Sequence, residues 1–152
     1  MDRSYVQENT TQRERLRALA ARLTDDDLAR ELPGGWTVAD TLGHLAFYDR
    51  RAAVLLERFA AEGVFASPYD FDTLNEILPH LTRRIPPRAV LEEAIAAAEA
   101  ADRAAAAISP SLIPEIARRN EVKLSRADHR RAHLDDVEAA LERGWRDDRV
   151  TG

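Results

Sequence analysis

Apolar positions recur along this chain with the period of a helix. Leu16, Leu19, Ala20 and Leu23 fall at three-and-four spacing and predict a first helix over about Arg3–Leu23. Thr24 then reads as the N-cap of a short helix through "DDDLARE", whose acids sit where the helix dipole favours them. "LPGG" breaks the chain. Thr37 opens a second long helix, with Asp40 at the third helical position of a capping-box arrangement more often closed by Glu or Gln. Val38, Leu42, Leu45, Ala52, Leu56 and Phe59 form the stripe of this helix, which is expected to reach about Ala61 and stop at Gly63.

"FASPYD" reads as a loop, and Asp70 or Asp72 starts a shorter helix toward Arg83 that Pro79 is expected to end or bend. After "IPPR", a third long helix covers about Pro87–Ile108, with Ala94, Ala98, Ala101 and Ala105 as a flat, closely packed face. "SPSLIPEI" reads as a connector. A fourth long helix follows from about Ser125 to Arg143, ended by Gly144. No stretch alternates Val, Ile or Thr with polar residues as a half-buried strand does. Four long amphipathic segments separated by breakers predict an all-α fold: a four-helix bundle with short extra helices in the connections, as one domain over residues 1–152.

Composition narrows the function. The 152 residues are 45% hydrophobic and 32% charged, a globular balance, with a formal net charge of -5. That charge argues against nucleic acid, which is met by a basic stripe. The pairs Arg118–Arg119 and Arg130–Arg131 stand among acids and read as solvated faces. Arg50 and Arg51 read the same way. No apolar run approaches the ~20 residues that span a bilayer, and "MDRSYVQENTTQRER" has no apolar signal core. A cytoplasmic protein without a membrane partner is expected. There is no cysteine, so the chain supplies no thiolate, and any metal it binds is held by histidine and carboxylate.

Two of the four histidines lie in "DHRRAHLDDVEAAL". His129 and His133 are four residues apart, which places their Cβ atoms about 6 Å apart on one side of a helix. Val137 and Ala140 continue that side, so the rings point toward the bundle interior or its edge. His44 lies on the edge of the stripe of the second long helix. If the two helices are neighbours, three imidazoles can share one divalent ion at about 2.0–2.1 Å per bond and leave a coordination position open. The plainer reading is three separately hydrogen-bonded histidines. His80, beside Pro79, reads as a surface residue near a helix C-terminus. Asp40, Tyr48, Asp128 and Asp136 are the sequence neighbours able to orient the rings. Trp36 either packs at the helix entrance or borders the pocket.

"GGWTVADTLGHLAFYDRRAAVLL" resembles the corresponding helix of the DinB-like superfamily, in which Trp and Ser or Thr lead into a helix carrying His-Leu. Trp36, Thr37, His44 and Leu45 match. "DFDTLNEIL", with Asn75, and "DHRRAHLDDVEAAL" resemble later segments of the same family, so the likeness covers nearly the whole chain. It implies a four-helix bundle in which His44, His129 and His133 bind nickel, zinc or iron, often in a homodimer. It also implies an enzyme that transfers a low-molecular-weight thiol, such as bacillithiol, mycothiol or glutathione, to an electrophilic small-molecule substrate, with Arg50 and Arg51 as candidate contacts for an anionic thiol. The alternatives are a metal-dependent hydrolase of a small molecule and a non-enzymatic, stress-related small-molecule-binding protein.

Overall fold

The computed structural model describes residues 2–150, and its regular elements are helices: α1 (Tyr5–Ala20), α2 (Asp25–Ala29), α3 (Val38–Glu62), α4 (Phe71–Thr82), α5 (Pro87–Ala107), α6 (Ile113–Arg119) and α7 (Ala127–Val150). The four longest pack in a ring, α3 on α5, α5 on α1, α1 on α7 and α7 on α3. This is the arrangement of a four-helix bundle. Helices α2, α4 and α6 lie in the connections.

The caps explain where α2 and α3 begin. The Thr37 hydroxyl accepts from the Asp40 N–H at 3.0 Å, and the Asp40 carboxylate accepts from the Thr37 N–H at 3.0 Å. Thr24 and Asp27 make the same reciprocal pair at 3.1 and 3.0 Å. Aspartate therefore closes the box as glutamate does elsewhere. Ahead of α3, the N–H of Leu32 bonds the carbonyl of Trp36 at 2.7 Å, and Val38 bonds Arg30 at 2.9 Å. These bonds fix the turn that delivers Trp36 to the start of α3.

Several boundaries differ from the sequence expectation. Helix α1 stops at Ala20 rather than at Leu23. Pro79 lies inside α4, which continues to Thr82. The "SPSLIPEI" connector contains a 3-10 turn, Pro110–Leu112, and then α6, with a proline in the opening turn of each. There the ring's fixed φ and missing N–H are harmless, so these prolines start helices. Gly144 does not end the last helix, which continues to Val150. The Arg30 guanidinium packs on the helix at that glycine, where a Cβ would collide with it. Gly43 also serves a close approach: an added Cβ would lie 2.7 Å from Thr82 Cγ2, so it lets α4 settle against α3 one residue from His44.

The core is two apolar clusters. One gathers Leu16, Val38, Leu42, Leu45, Leu91 and Leu134, and the other Leu56, Phe59, Ala105, Ile108 and Ile116. Ala94, Ala98, Ala101 and Ala105 are all buried, which gives α5 the flat face expected of it. Between the clusters lies a polar layer that overturns the solvated reading of Arg130. This side chain is 0% exposed. Its Nε donates to Asp49 at 2.9 Å. Its Nη groups donate to Asp102 at 2.8 and 3.1 Å, to the Asn9 carbonyl at 3.1 Å and to the Ala98 carbonyl at 3.3 Å. All five guanidinium donors are used. Arg126 Nε takes the other Asp49 oxygen at 2.9 Å, and Arg13 takes Asp102 at 2.6 Å. The remaining pairs are solvated as expected: Arg118 and Arg119 on Glu115, and Arg131 on Asp128.

Candidate metal centre

Helices α3 and α7 bring His44, His129 and His133 together. One nitrogen from each lies within 4.8 Å of the others, and among the described residues they form the one group of this kind. The Nε2 atoms of His44 and His129 are 2.9 Å apart. The His44 ring centroid is 4.9 Å from that of His129 and 4.6 Å from that of His133, and His129 and His133 are 4.8 Å apart. His44 is 2% exposed, and the two α7 histidines are half-buried. The stripe of α7 facing the core is Arg130, Leu134, Val137 and Leu141, so the histidines occupy the edge beside it.

Burial is the main force on all three rings, and it disfavours the charged form. It pushes His44 down to about 4, with the proximity of His133 adding to it and Asn75 opposing it. It pushes His129 down to about 3, helped by His133, His44, Arg126 and Arg130. His133 is lowered as well, against the pull of Asp136. The three imidazoles are therefore neutral at pH 7, the state in which they ligate metals.

The donor set fits a divalent ion. Two Nε2 atoms 2.9 Å apart can both bind one ion at about 2.0–2.1 Å. Left to themselves the rings satisfy each other poorly. A single N–H can lie between the two Nε2 atoms, and Nδ1 of both His44 and His129 is buried without a hydrogen-bond partner. Each such atom costs about 1–3 kcal/mol. The convergence of nitrogen on nitrogen, which one shared proton cannot satisfy for three rings, argues for a cation.

The sequence neighbours named as orienting groups are engaged elsewhere. Asp40 closes the α3 cap and receives Arg83 at 2.8 Å. Asp128 pairs with Arg131. The Tyr48 hydroxyl donates to Asn75 Oδ1 at 3.1 Å, and burial, chiefly, holds the phenol in its protonated form by raising its pKa. Asp136 acts on His133 through its charge. Trp36 borders the site, its ring 5.2 Å from that of His44. His80 is exposed in the last turn of α4, away from the cluster. Arg50 pairs with Glu93 on the surface, whereas Arg51 is half-buried and donates to the carbonyls of Glu121 and Ser67 at 3.1 and 2.9 Å.

Sequence reasoning missed a wall of the site. Tyr48, Tyr69 and Phe71 gather beside the histidines, with Tyr48 and Phe71 centroids 5.5 Å apart and Tyr48 and Tyr69 6.1 Å apart. Tyr69 and Phe71 come from the "FASPYD" loop and the first residue of α4. Two aromatics in a short polar stretch were the available signal.

The class defined by fold and site is an all-α bundle with a trihistidine cluster, positioned to hold a metal ion, across two facing helices. The family model described as the DinB superfamily matches residues 8–144, and the chain belongs to that superfamily. Searches of curated proteins and of solved structures found no match. Among the described residues no helix is long and apolar enough to cross a membrane.

Proposed function

We propose that this single-domain protein is a cytoplasmic, homodimeric, stress-related enzyme that binds a divalent ion through His44, His129 and His133 and transfers a low-molecular-weight thiol to a small electrophile. The observation that carries the reading is the convergence of three neutral imidazoles, two with Nε2 atoms 2.9 Å apart. A divalent ion there, whether nickel, zinc or iron, would supply Lewis-acid activation and keep a thiol deprotonated at neutral pH. The chain has no cysteine, so the thiol arrives from solution, and bacillithiol, mycothiol and glutathione are the reagents to test.

The residues around the rings favour thiol transfer over hydrolysis. A hydrolytic site gains from a carboxylate base that takes the proton of water. Asp40 is occupied by Thr37 and Arg83, Asp49 by Arg126 and Arg130, and Asp136, whose charge acts on His133, is exposed and lines a different cavity with Leu32, Pro33 and Arg143. A thiol is acidic enough to need no such base. Trp36, Tyr48 and Phe71 surround His44, and they limit water at the reacting face.

Metal analysis of protein purified without a metal-affinity column is the first test, with about one ion per chain expected. A His129→Ala, His133→Ala double variant is expected to lose it. The holoprotein is then assayed for conjugation of each thiol to monochlorobimane. Metal absent from the wild type, or no transfer with any of the three thiols, would overturn the proposal.

A further inference from the structure

A cavity of about 230 Å³ opens beside the histidines, with His129 in its wall. It is smaller than the about 300–1,000 Å³ of pockets for drug-sized ligands, so it suits a small molecule. One side is aromatic, formed by Tyr48, Tyr69 and Phe71. The last two are 46% and 47% exposed, and with Tyr48 they form a contiguous apolar patch, the kind of surface that marks a binding site. The other side is cationic. Arg51, Lys123 and Arg126 line it against a single acid, Glu121.

This imbalance stands out on a chain of net charge -5. It is also fixed in place. Arg51 lies over the Tyr69 ring at 4.2 Å and is tied to two carbonyls. Those carbonyls orient its charge without cancelling it. The Glu121 carboxylate already accepts the Ser67 N–H at 2.9 Å. Lys123 has no ion-pair partner among the described residues. Arg126 uses Nε on Asp49, and its Nη groups have no hydrogen-bond partner among those residues. Asp49 is itself shared with Arg130.

We infer that this cavity binds a small organic acid, with its apolar portion on the Tyr48–Tyr69–Phe71 wall and its anionic group at Lys123 and Arg126. The inference rests on the proposed function in one respect: it makes this ligand a reactant at the histidine centre. Charge selects the molecule at Lys123 and Arg126, and His129 meets it in the same cavity wall. Arg126 holds the acid through free Nη groups while Asp49 holds Arg126.

The test uses metal-free full-length protein, so that it is independent of the metal reading. The probes are 4-(trifluoromethyl)benzenesulfonate and its neutral analogue, 4-(trifluoromethyl)phenyl methyl sulfone, titrated by fluorine NMR. The sulfonate is expected to bind about tenfold more tightly, as a charge-assisted hydrogen bond allows, and to weaken as salt rises. Lys123 is exposed, so Lys123→Glu and Lys123→Gln are expected to fold, with circular dichroism as the check. Lys123→Glu should abolish the preference and Lys123→Gln should reduce it. Displacement of the sulfonate by glutathione or bacillithiol places the acid group on the thiol, and retention against both places it on the acceptor. Equal affinity for the two probes, no binding of either, or a preference that survives Lys123→Glu would overturn the inference. A protein that prefers the sulfonate but binds no metal would sink the proposed function and leave the acid pocket standing.

Discussion

Two polar clusters are buried between the same helices, and they are built on opposite terms. Arg130 of α7, with Arg126 just ahead of that helix, meets Asp49 of α3, while His129 and His133 of α7 meet His44 of α3. In the first cluster every Arg130 donor has an acceptor and opposite charges face each other. In the second, like groups face each other, and the converging Nε2 atoms of His44 and His129 have at most one proton to share. Arg130, whose demands are met inside the chain, fixes how the helices sit. A layer whose demands are unmet is completed by something else. The pair shows that burial of polar groups is not one phenomenon, and that satisfaction separates scaffold from site.

The largest effect is expected in the arginine layer. Arg130→Met leaves Asp49 and Asp102 short of their shared cation in a buried setting, and breaking such a pair costs about 3–5 kcal/mol. Urea unfolding of the metal-free protein measures it. A loss below about 1 kcal/mol would erase the contrast. The next effect belongs to the histidines and depends on metal. With free metal at a hundredfold excess over its Kd, the wild type is expected to gain about 2.7 kcal/mol. His129→Ala should remove that gain while leaving the metal-free stability close to wild type, because the substitution also removes an unpaired buried nitrogen. A His129→Ala protein that is stabilised by metal as strongly as the wild type would refute the shared ligand set.

Acid separates the clusters in a second way. The folded-state pKa values of His44, about 4, and His129, about 3, lie below the ~6.5 of an unfolded histidine. As pH falls through 6.5 the unfolded chain takes up protons that the native rings refuse. Stability is therefore full above about pH 7 and is lost progressively toward pH 4, with the His129 share continuing toward pH 3. Carboxylates contribute to the same slope. The informative quantity is the difference between wild type and a His44→Ala, His129→Ala variant, both metal-free, across pH 7.5–4.5. The variant should show the shallower loss, and superimposable curves would mean that the rings titrate normally.

Much of this was legible in the chain because it follows from period and spacing. The four long helices, the Thr37–Asp40 cap and the histidine spacing all obey local rules that a single strand of sequence states. The arginine layer was not legible by polarity, since Arg130 beside Arg131 looks like a wet pair. It was legible by position: Arg126, Arg130, Leu134, Val137 and Leu141 fall at three-and-four spacing and are all buried. Helix α6 was hidden because Pro110 and Pro114 read as breakers when they are starters. The Tyr69–Phe71 wall and the charge of Lys123 beside it depend on which loops meet in space. No local pattern carries that.

The smallest effect sharpens the comparison from the scaffold side. Thr37 caps the helix that carries both Asp49 and His44, and its hydroxyl satisfies one otherwise orphan N–H. Thr37→Ala is expected to cost about 1 kcal/mol, the usual value of an N-cap oxygen. The partner bond from Asp40 to the Thr37 N–H survives the change, and Arg83 still holds Asp40 in place. The start of α3 should therefore keep its register, and His44, two turns further on, should keep its position. Metal content and affinity in Thr37→Ala are expected to match the wild type while the urea midpoint falls. Should the affinity fall with the midpoint, the geometry of the histidines would depend on the helix entrance, and the arginine layer would not be what positions them.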